Sequence, residues 1–339
     1  MNPCFRFAMA GFIFPVCFTV CFGDRPEARC FVEPFFGRGT GSTLFRMEST
    51  IPVNGSDSVP DGVTGMIQSE LEYPRDMFIA GLKWRMETGS EASRNVGLHL
   101  GVWTNVIDPA GNMMDTDWLG ARSSSGSATT TSLYKFSYTE SRPEARWIGA
   151  EAGVDFGAFN LLRKSVRFGV ELHADYSSYR LYGIEGWQRL PQSPMYRVDT
   201  LADELVLTYR VLRLVPLLSA DIRLADGPKA TWNAVLTAGP AFAWDHDDHV
   251  LRRKESDAYA YGFEAGLRTE IELRVSARSS LVPAVRLAYF RTKGSMDQRF
   301  YGDDPFTEET DETGKTHLSV EDRIISFSGS LSMGYRYRF

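Results

Sequence analysis

The C-terminal stretch ISFSGSLSMGYRYRF, residues 325–339, decides the fold. Successive side chains of a β-strand point to opposite faces. One face of this segment therefore carries the apolar and aromatic residues Ile325, Phe327, Leu331, Met333, Tyr335, Tyr337 and Phe339. The other face carries only serine, glycine and arginine. The pattern predicts a long strand with one side against an apolar medium and the other against water.

The segment from Tyr259 to Val275 repeats this alternation, with glutamate and arginine on its second face. A soluble β-sandwich also has alternating strands, but sandwich strands are usually only about five or six residues long. The longer strands and the aromatic strand ends favour a lipid-facing β-barrel.

Turn signals divide the chain into about ten strands, the even number expected of a single-chain bacterial barrel. The predicted strands are 35–50, 67–86, 94–107, 131–157, 165–186, 201–224, 231–244, 257–275, 280–293 and 322–339. Short connections alternate with long ones, which we expect near 51–66, 108–130, 187–200, 245–256 and 294–320 and assign to the cell exterior. Several strands exceed the roughly 9–11 residues that cross the hydrocarbon, so we predict that they extend above the membrane.

The N-terminus has the layout of a secretory signal peptide, in which Arg6 precedes an apolar run from Phe7 to Phe22. We expect residues 1–23 to be cleaved and residues 24–339 to form one barrel domain in the outer membrane of a Gram-negative bacterium. The run is shorter than the roughly 20 residues of a membrane-spanning helix. The formal net charge of −6 argues against a nucleic-acid partner.

Two polar clusters lie in predicted external connections, at residues 111–118 and 244–249. In an extended chain Asp115 and Asp117 share one face, as do Asp245, Asp247 and His249. A carboxylate beside an imidazole can orient it, so that the imidazole takes a proton from water. A second pair of carboxylates could hold that water and later donate a proton, if crowding raises one pKa.

The spacing alone leaves other readings open. Acidic loops on barrel exteriors are often only solvated, or bind calcium. Zinc could bind through His246 and His249, but no HExxH motif is present. A serine nucleophile has little support because no GxSxG motif occurs.

The segment Gly111 to Trp118 closely resembles the part of the omptin family that carries its catalytic aspartate pair. The run Asp245, Asp247, Asp248 and His249 matches the second omptin motif in register, and weaker similarity covers 69–73, 140–142, 209–216 and the last strand. Omptins are outer-membrane endopeptidases of the aspartyl type. The resemblance implies that Asp247 and His249 activate water, that Asp115 and Asp117 position it, and that no metal or other cofactor takes part.

The resemblance also implies a preference for basic residues and a requirement for lipopolysaccharide as activator. Asp245 aligns with an acid of the omptin substrate groove, whereas Phe45 and Thr139 stand where the family has two more acids. Arg180 matches one arginine that binds lipopolysaccharide. The position of the second such arginine in the family is occupied here by Leu212, with Arg210 nearby.

The sequence therefore predicts an all-β, ten-stranded antiparallel transmembrane barrel, monomeric, that cleaves peptides or proteins at the cell surface. One alternative is an inactive barrel of the same shape that acts as an adhesin or surface receptor. A second is a passive channel, although ten strands leave little open lumen.

Overall fold

The computed structural model describes residues 28–51, 63–88, 96–125, 128–161, 164–188, 196–198, 203–304 and 311–339, and the predicted signal peptide lies outside them. The described chain is almost entirely strand, with one short 3-10 helix at Val250–Arg252. No helix in these ranges is long and apolar enough to span a membrane. The strands are β1 (Ala28–Ile51), β2 (Val63–Pro74), β3 (Met77–Thr88), β4 (Val96–Asn105), β5 (Met113–Ser125), β6 (Ala128–Leu161), β7 (Lys164–Gln188), β8 (Tyr196–Val198), β9 (Leu205–Asp226), β10 (Ala230–His249), β11 (Lys254–Arg274), β12 (Ser279–Phe300) and β13 (Thr316–Arg338).

The strands close into an antiparallel ring. Strands β2 and β3 are two halves of one long strand, and so are β4 and β5, because β1 pairs with both β2 and β3 while β6 pairs with both β4 and β5. From β6 the ring continues through β7, β9, β10, β11, β12 and β13, and β13 pairs back with β1. The three-residue β8 only adds to the edge of β7. This is the ten-stranded barrel that the sequence predicts.

Both interruptions lie at the same level of the barrel wall. Asp76, between β2 and β3, bridges to Ala110, between β4 and β5, and the Ala110 N–H donates to the Asp76 carbonyl over 2.7 Å. The Arg75 N–H likewise donates to the Gly41 carbonyl over 2.9 Å. The breaks therefore leave the backbone hydrogen bonded and do not open the ring.

The outer face is a broad apolar band. Leu218, Tyr261 and Leu331 are 70%, 67% and 63% exposed, and many other large apolar side chains share their face. The alternation predicted for Tyr259 to Val275 is confirmed, because its aromatic residues point outward while Glu264 and Glu270 are buried inside. An apolar surface of this extent is unfavourable in water and matches the hydrocarbon of a bilayer.

The lower interior is filled by paired charges. The Arg336 guanidinium lies 2.7 Å from Glu33 and 2.8 Å from Glu272, and Arg167 bridges Glu87 and Asp221. Charges inside a barrel are tolerated when they are paired in this way.

An aromatic layer formed by Phe45, Tyr73, Tyr179 and Tyr209 lies above these charges. The Tyr73 and Tyr209 rings stack with centroids 4.7 Å apart, and Phe45 packs 5.3 Å from Tyr209. Phe45, Tyr73 and Tyr209 are at most 1% exposed. The layer fills the interior between the lower lumen and the upper rim with packed rings.

The predicted long connections at 108–130 and 245–256 are wrong. Strand β5 runs to Ser125 and β6 begins at Ala128, while β10 runs to His249 and β11 begins at Lys254. Both polar clusters therefore lie on strands. The sequence did not reveal this because a strand above the lipid no longer needs an apolar outer face, so it loses the alternation that marks a membrane strand.

The short connections at 227–229 and 275–278 lie at the end opposite the extended strands, which predicts the orientation of the barrel. On intact cells, a cysteine replacing exposed Thr313 should react with a membrane-impermeant maleimide, because Thr313 lies in the β12–β13 connection. A cysteine replacing exposed Ala277 should react only after the outer membrane is permeabilised. The reverse pattern would place the two clusters on the periplasmic side.

Candidate active site

Two facing walls of the upper barrel carry the site residues that the sequence predicts. Strand β5 supplies Asp115 and Asp117, and β10 supplies Asp245, Asp247 and His249. Asp117, Asp245 and Asp247 are 7%, 5% and 0% exposed, so these three carboxyl groups face the interior of the barrel. Asp248 points outward, where its carboxylate accepts a hydrogen bond from the Tyr301 hydroxyl over 2.9 Å.

Asp247 and His249 form the first couple. They are two residues apart on β10, and the His249 Nε2 lies 3.7 Å from the Asp247 Oδ1. Burial opposes ionisation of Asp247, but His249, Lys254 and the Ser256 hydroxyl outweigh it and hold the pKa of Asp247 below its usual value. Asp247 is therefore a carboxylate at neutral pH, able to stabilise a protonated imidazole beside it.

Asp115 and Asp117 form the second couple, on β5. The Ser69 hydroxyl of the neighbouring β2 donates a hydrogen bond to Asp117. Burial, together with the charge of Asp117, raises the pKa of Asp115 well above its usual value. Asp115 is therefore the carboxyl group of this couple that favours the protonated form.

Side chains from the turn between β10 and β11 reach across to the wall that carries β5. Arg252, in the 3-10 turn after β10, places its Nη2 3.7 Å from the Asp117 Oδ2 on β5. Lys254, opposite His249 in the β10–β11 register, adds a second cation near Asp115, Asp117 and Asp247. Burial and the charge of Arg252 lower the pKa of Lys254, while the carboxylates oppose that change. The two couples therefore face one another across the barrel mouth.

Several buried polar atoms at this place have no hydrogen-bond partner among the described residues. They are the Asp115 Oδ1, both carboxylate oxygens of Asp247, the His249 Nε2 and the Ser256 Oγ. Buried polar groups are nearly always hydrogen bonded, and exceptions collect at functional sites. The atoms belong to the two facing walls, so the upper interior is lined by polar groups that a bound ligand would satisfy.

The sequence reasoning missed Ser69, Arg252, Lys254 and Asp322. Ser69 lies in the 69–73 segment of weaker omptin similarity, which carried no role for it, and Arg252 and Lys254 belong to no motif. Only the pairing of the strands brings the three residues to the couples. Asp322 did carry a signal, since it shares the even-numbered inward face of β13 with Ser326.

Asp322 is 0% exposed, and both of its carboxylate oxygens lack a partner among the described residues. Burial and the charge of Asp247 raise its pKa to about 7. Burial and the charge of Asp322 likewise raise the pKa of Asp245 well above its usual value. Asp245 and Asp322 are thus a second pair of acids, next to the Asp247–His249 couple.

The two positions that depart from the omptin pattern have distinct places. Phe45 belongs to the aromatic layer beneath the site. Thr139 lies on β6 directly opposite Asp115 in the register.

His246 points outward, and its Nδ1 lies 2.9 Å from the Asp257 carboxylate, so it cannot share a zinc ion with His249. No group of three or more His, Cys, Asp or Glu side chains in the described ranges is placed to hold a metal ion.

Arg180 and Arg210 lie on the outer surface of β7 and β9. Both are exposed. Because Ser178 pairs with Arg210, and Arg180 with Thr208, the two arginines are diagonal neighbours. They lie just above Tyr176 and Leu212, at the upper margin of the apolar band.

Comparisons with known proteins support the fold. No protein-family model and no curated protein sequence matches the chain. The outer membrane protease OmpT from Escherichia coli matches with a TM-score of 0.64 at 12% identity, covering 92% of this chain and 97% of that one. At such low identity the likeness shows the fold alone.

Two other barrels match less closely. The translocator domain of autotransporter NalP from Neisseria meningitidis has a TM-score of 0.28 at 12% identity, covering 98% of this chain and 95% of that one. The outer membrane protein OprG from Pseudomonas aeruginosa has a TM-score of 0.26 at 8% identity, covering 92% and 97%. These scores are too low to carry an argument.

Replacing Asp322 should stabilise the barrel at neutral pH. The unfolded chain ionises this carboxyl near 3.8, whereas the barrel keeps it protonated up to about 7. The folded state therefore binds more protons over this range, and stability falls as pH rises through it. Asp322→Asn removes that loss, worth up to about 4 kcal/mol. Urea unfolding in detergent should show a gain at pH 8 and little change at pH 4.

The outward Asp248→Asn is the matched control and should change stability little at either pH. An Asp322→Asn variant that is less stable than the parent at pH 8 would show that the barrel does not oppose ionisation of this carboxyl group.

Proposed function

We propose that the protein is an outer-membrane endopeptidase that cleaves peptides or proteins at the cell surface with a water molecule activated between the two couples. The convergence of an ionised Asp247 beside His249 with a proton-holding Asp115 beside Asp117 carries the proposal. The similarity in fold to OmpT supports it, since that protein is an outer membrane protease. The protein acts without a metal.

The mechanism divides the proton transfers between the walls. Water between the couples attacks the carbonyl carbon of the peptide, and His249 takes the proton that the water loses. The ionised Asp247 stabilises the resulting imidazolium. When the carbon–nitrogen bond breaks, Asp115 gives its proton to the leaving amine, and proton exchange with solvent then restores both groups.

Substrate choice follows from the charge of the mouth. Asp245 contributes a buried carboxyl beside the reacting couple, and a carboxylate that is removed from water attracts a cationic side chain strongly. The substrate is therefore a peptide with arginine or lysine next to the cut.

Lipopolysaccharide is the proposed activator. Arg180 and Arg210 stand on the outer surface at the margin of the apolar band, where the phosphates of an anionic lipid would lie. Strand β9 carries Arg210 outward and Tyr209 inward beneath the site, so a lipid held at this surface would steady the wall that supports the couples.

Replacing members of the couples should abolish most cleavage. His249→Ala and Asp247→Ala should each reduce kcat/KM by about 10²–10⁴, since a positioned general base typically contributes that much. Asp115→Ala and Asp117→Ala should reduce kcat/KM by nearly as much, because the four groups act as one unit. Cleavage of a fluorogenic arginine peptide by refolded protein measures the effect.

Asp248→Ala is the control, because that carboxylate faces outward on the same strand. It should leave cleavage nearly intact, and every variant should migrate as the same heat-modifiable barrel. A parent-like rate for His249→Ala would overturn the mechanism and favour an inactive barrel that serves as an adhesin or receptor.

Addition of lipopolysaccharide should increase the cleavage rate of refolded protein at least about tenfold, as expected for a coupling free energy of 1–3 kcal/mol. Arg210→Ala and Arg180→Ala should need more lipid for half-maximal activity. Arg299→Ala should not, because that exposed arginine is already engaged by Glu255. Full activity in plain detergent would show that the lipid is not required.

A further inference from the structure

Asp245 and Asp322 carry buried carboxyl groups that the reaction itself does not use. They lie on β10 and β13, separated in the wall by β11 and β12. In register, Asp245 pairs with Ala258, and Asp322 pairs with Gly294, which in turn pairs with Ala260. The positions paired directly with the two acids therefore carry small side chains, while Met296, which pairs with Ala258, is 1% exposed and packs inside the barrel on the same stretch of wall.

The pair has no counter-charge of its own. All four carboxylate oxygens lack a hydrogen-bond partner among the described residues. Arg213 is close enough to Asp245 to oppose part of its pKa shift, but it packs over the Phe290 ring, with 4.6 Å from its guanidinium carbon to the centroid. Burial opposes ionisation of both carboxyl groups, and the nearby carboxylates add to it, Asp322 raising the pKa of Asp245 and Asp247 raising the pKa of Asp322.

A third buried polar group near the two acids also lacks a partner among the described residues. The Tyr209 hydroxyl, on a side chain only 1% exposed, also lacks a partner, and both Asp245 and Asp322 act on it electrostatically. A buried phenol normally finds a hydrogen-bond partner. Three polar groups on β9, β10 and β13 thus converge on one place and remain unsatisfied.

We propose that Asp322, together with Asp245 and the Tyr209 hydroxyl, forms the pocket that binds the basic side chain of the substrate next to the cut, and that Asp322 determines specificity for it. A guanidinium or ammonium group would supply the positive charge and the hydrogen-bond donors that these oxygens lack. The pocket lies beside Asp247, so a side chain bound there would place its own carbonyl group near the activated water.

This assignment rests on the proposed function and refines it. Asp322 supplies a second carboxyl group at the pocket on a wall that no motif marks, while Phe45, on the adjoining β1, contributes only apolar surface there. A purely structural role does not suit Asp322, because a buried carboxyl without a partner costs stability.

The test uses two peptides that differ only in arginine or its neutral isostere citrulline at the residue before the cut. The parent should prefer arginine by about a hundredfold in kcat/KM. Asp322→Asn should lower that preference at least about tenfold and change cleavage of the citrulline peptide less than about threefold. Asp322→Glu should keep most of the preference, and Asp248→Asn should keep all of it.

Asp322→Asn with an unchanged preference would overturn the pocket, and so would an equal loss on both peptides, which would indicate a role in the reaction itself. Calorimetric binding of uncleavable reduced-bond analogues of both peptides separates this inference from the proposed function. Selective binding of the arginine analogue, lost in Asp322→Asn, upholds the pocket even if neither peptide is cleaved. Failure to bind either analogue overturns it.

Discussion

The pairing of β1 with β13 is the contact on which the rest of the molecule depends. It joins the first described strand to the last and closes the sheet, so no strand edge with unpaired N–H and C=O groups is left in the lipid. Once the ring is closed, the two-residue alternation assigns every side chain to the lipid or to the interior. The apolar band outside and the polar interior are two consequences of the same closure.

The interior changes character along the barrel axis. Below the aromatic layer every buried carboxylate described above is paired, as Glu33 is with Arg336, while the buried Arg75 and Arg213 guanidinium groups lie over the Trp147 and Phe290 rings. Above it, Asp245, Asp247 and Asp322 are buried just as deeply, yet their oxygens have no hydrogen-bond partner among the described residues. Paired charges can be explained by the fold alone. Unpaired ones cost stability, and their concentration at one end is best explained by a function that needs them.

Much of this could be predicted from the sequence. Alternation in 325–339 and 259–275 predicted the barrel, because lipid demands an apolar face that is easy to recognise, and turn signals predicted the number of strands. The spacing also predicted that Asp115 and Asp117 share one face of an extended chain, as do Asp247 and His249. The ends of β5 and β10 could not be predicted, since strands above the lipid lack that alternation. Asp322, Arg252 and Lys254 reach the site only through the pairing of strands distant in sequence, which local patterns do not encode.

The central claim is that solvent water, activated between the two walls, cuts a peptide bond directly. Mass spectrometry of a single turnover in ¹⁸O-labelled water tests it: an arginine-containing peptide and excess refolded protein are mixed and quenched at early times. Direct attack by water should give two peptide fragments, with one ¹⁸O atom in the new carboxylate. The mass of the protein should stay unchanged at every time. An intact peptide would contradict the hydrolytic site, and a protein mass increased by the acyl fragment would contradict direct attack by water.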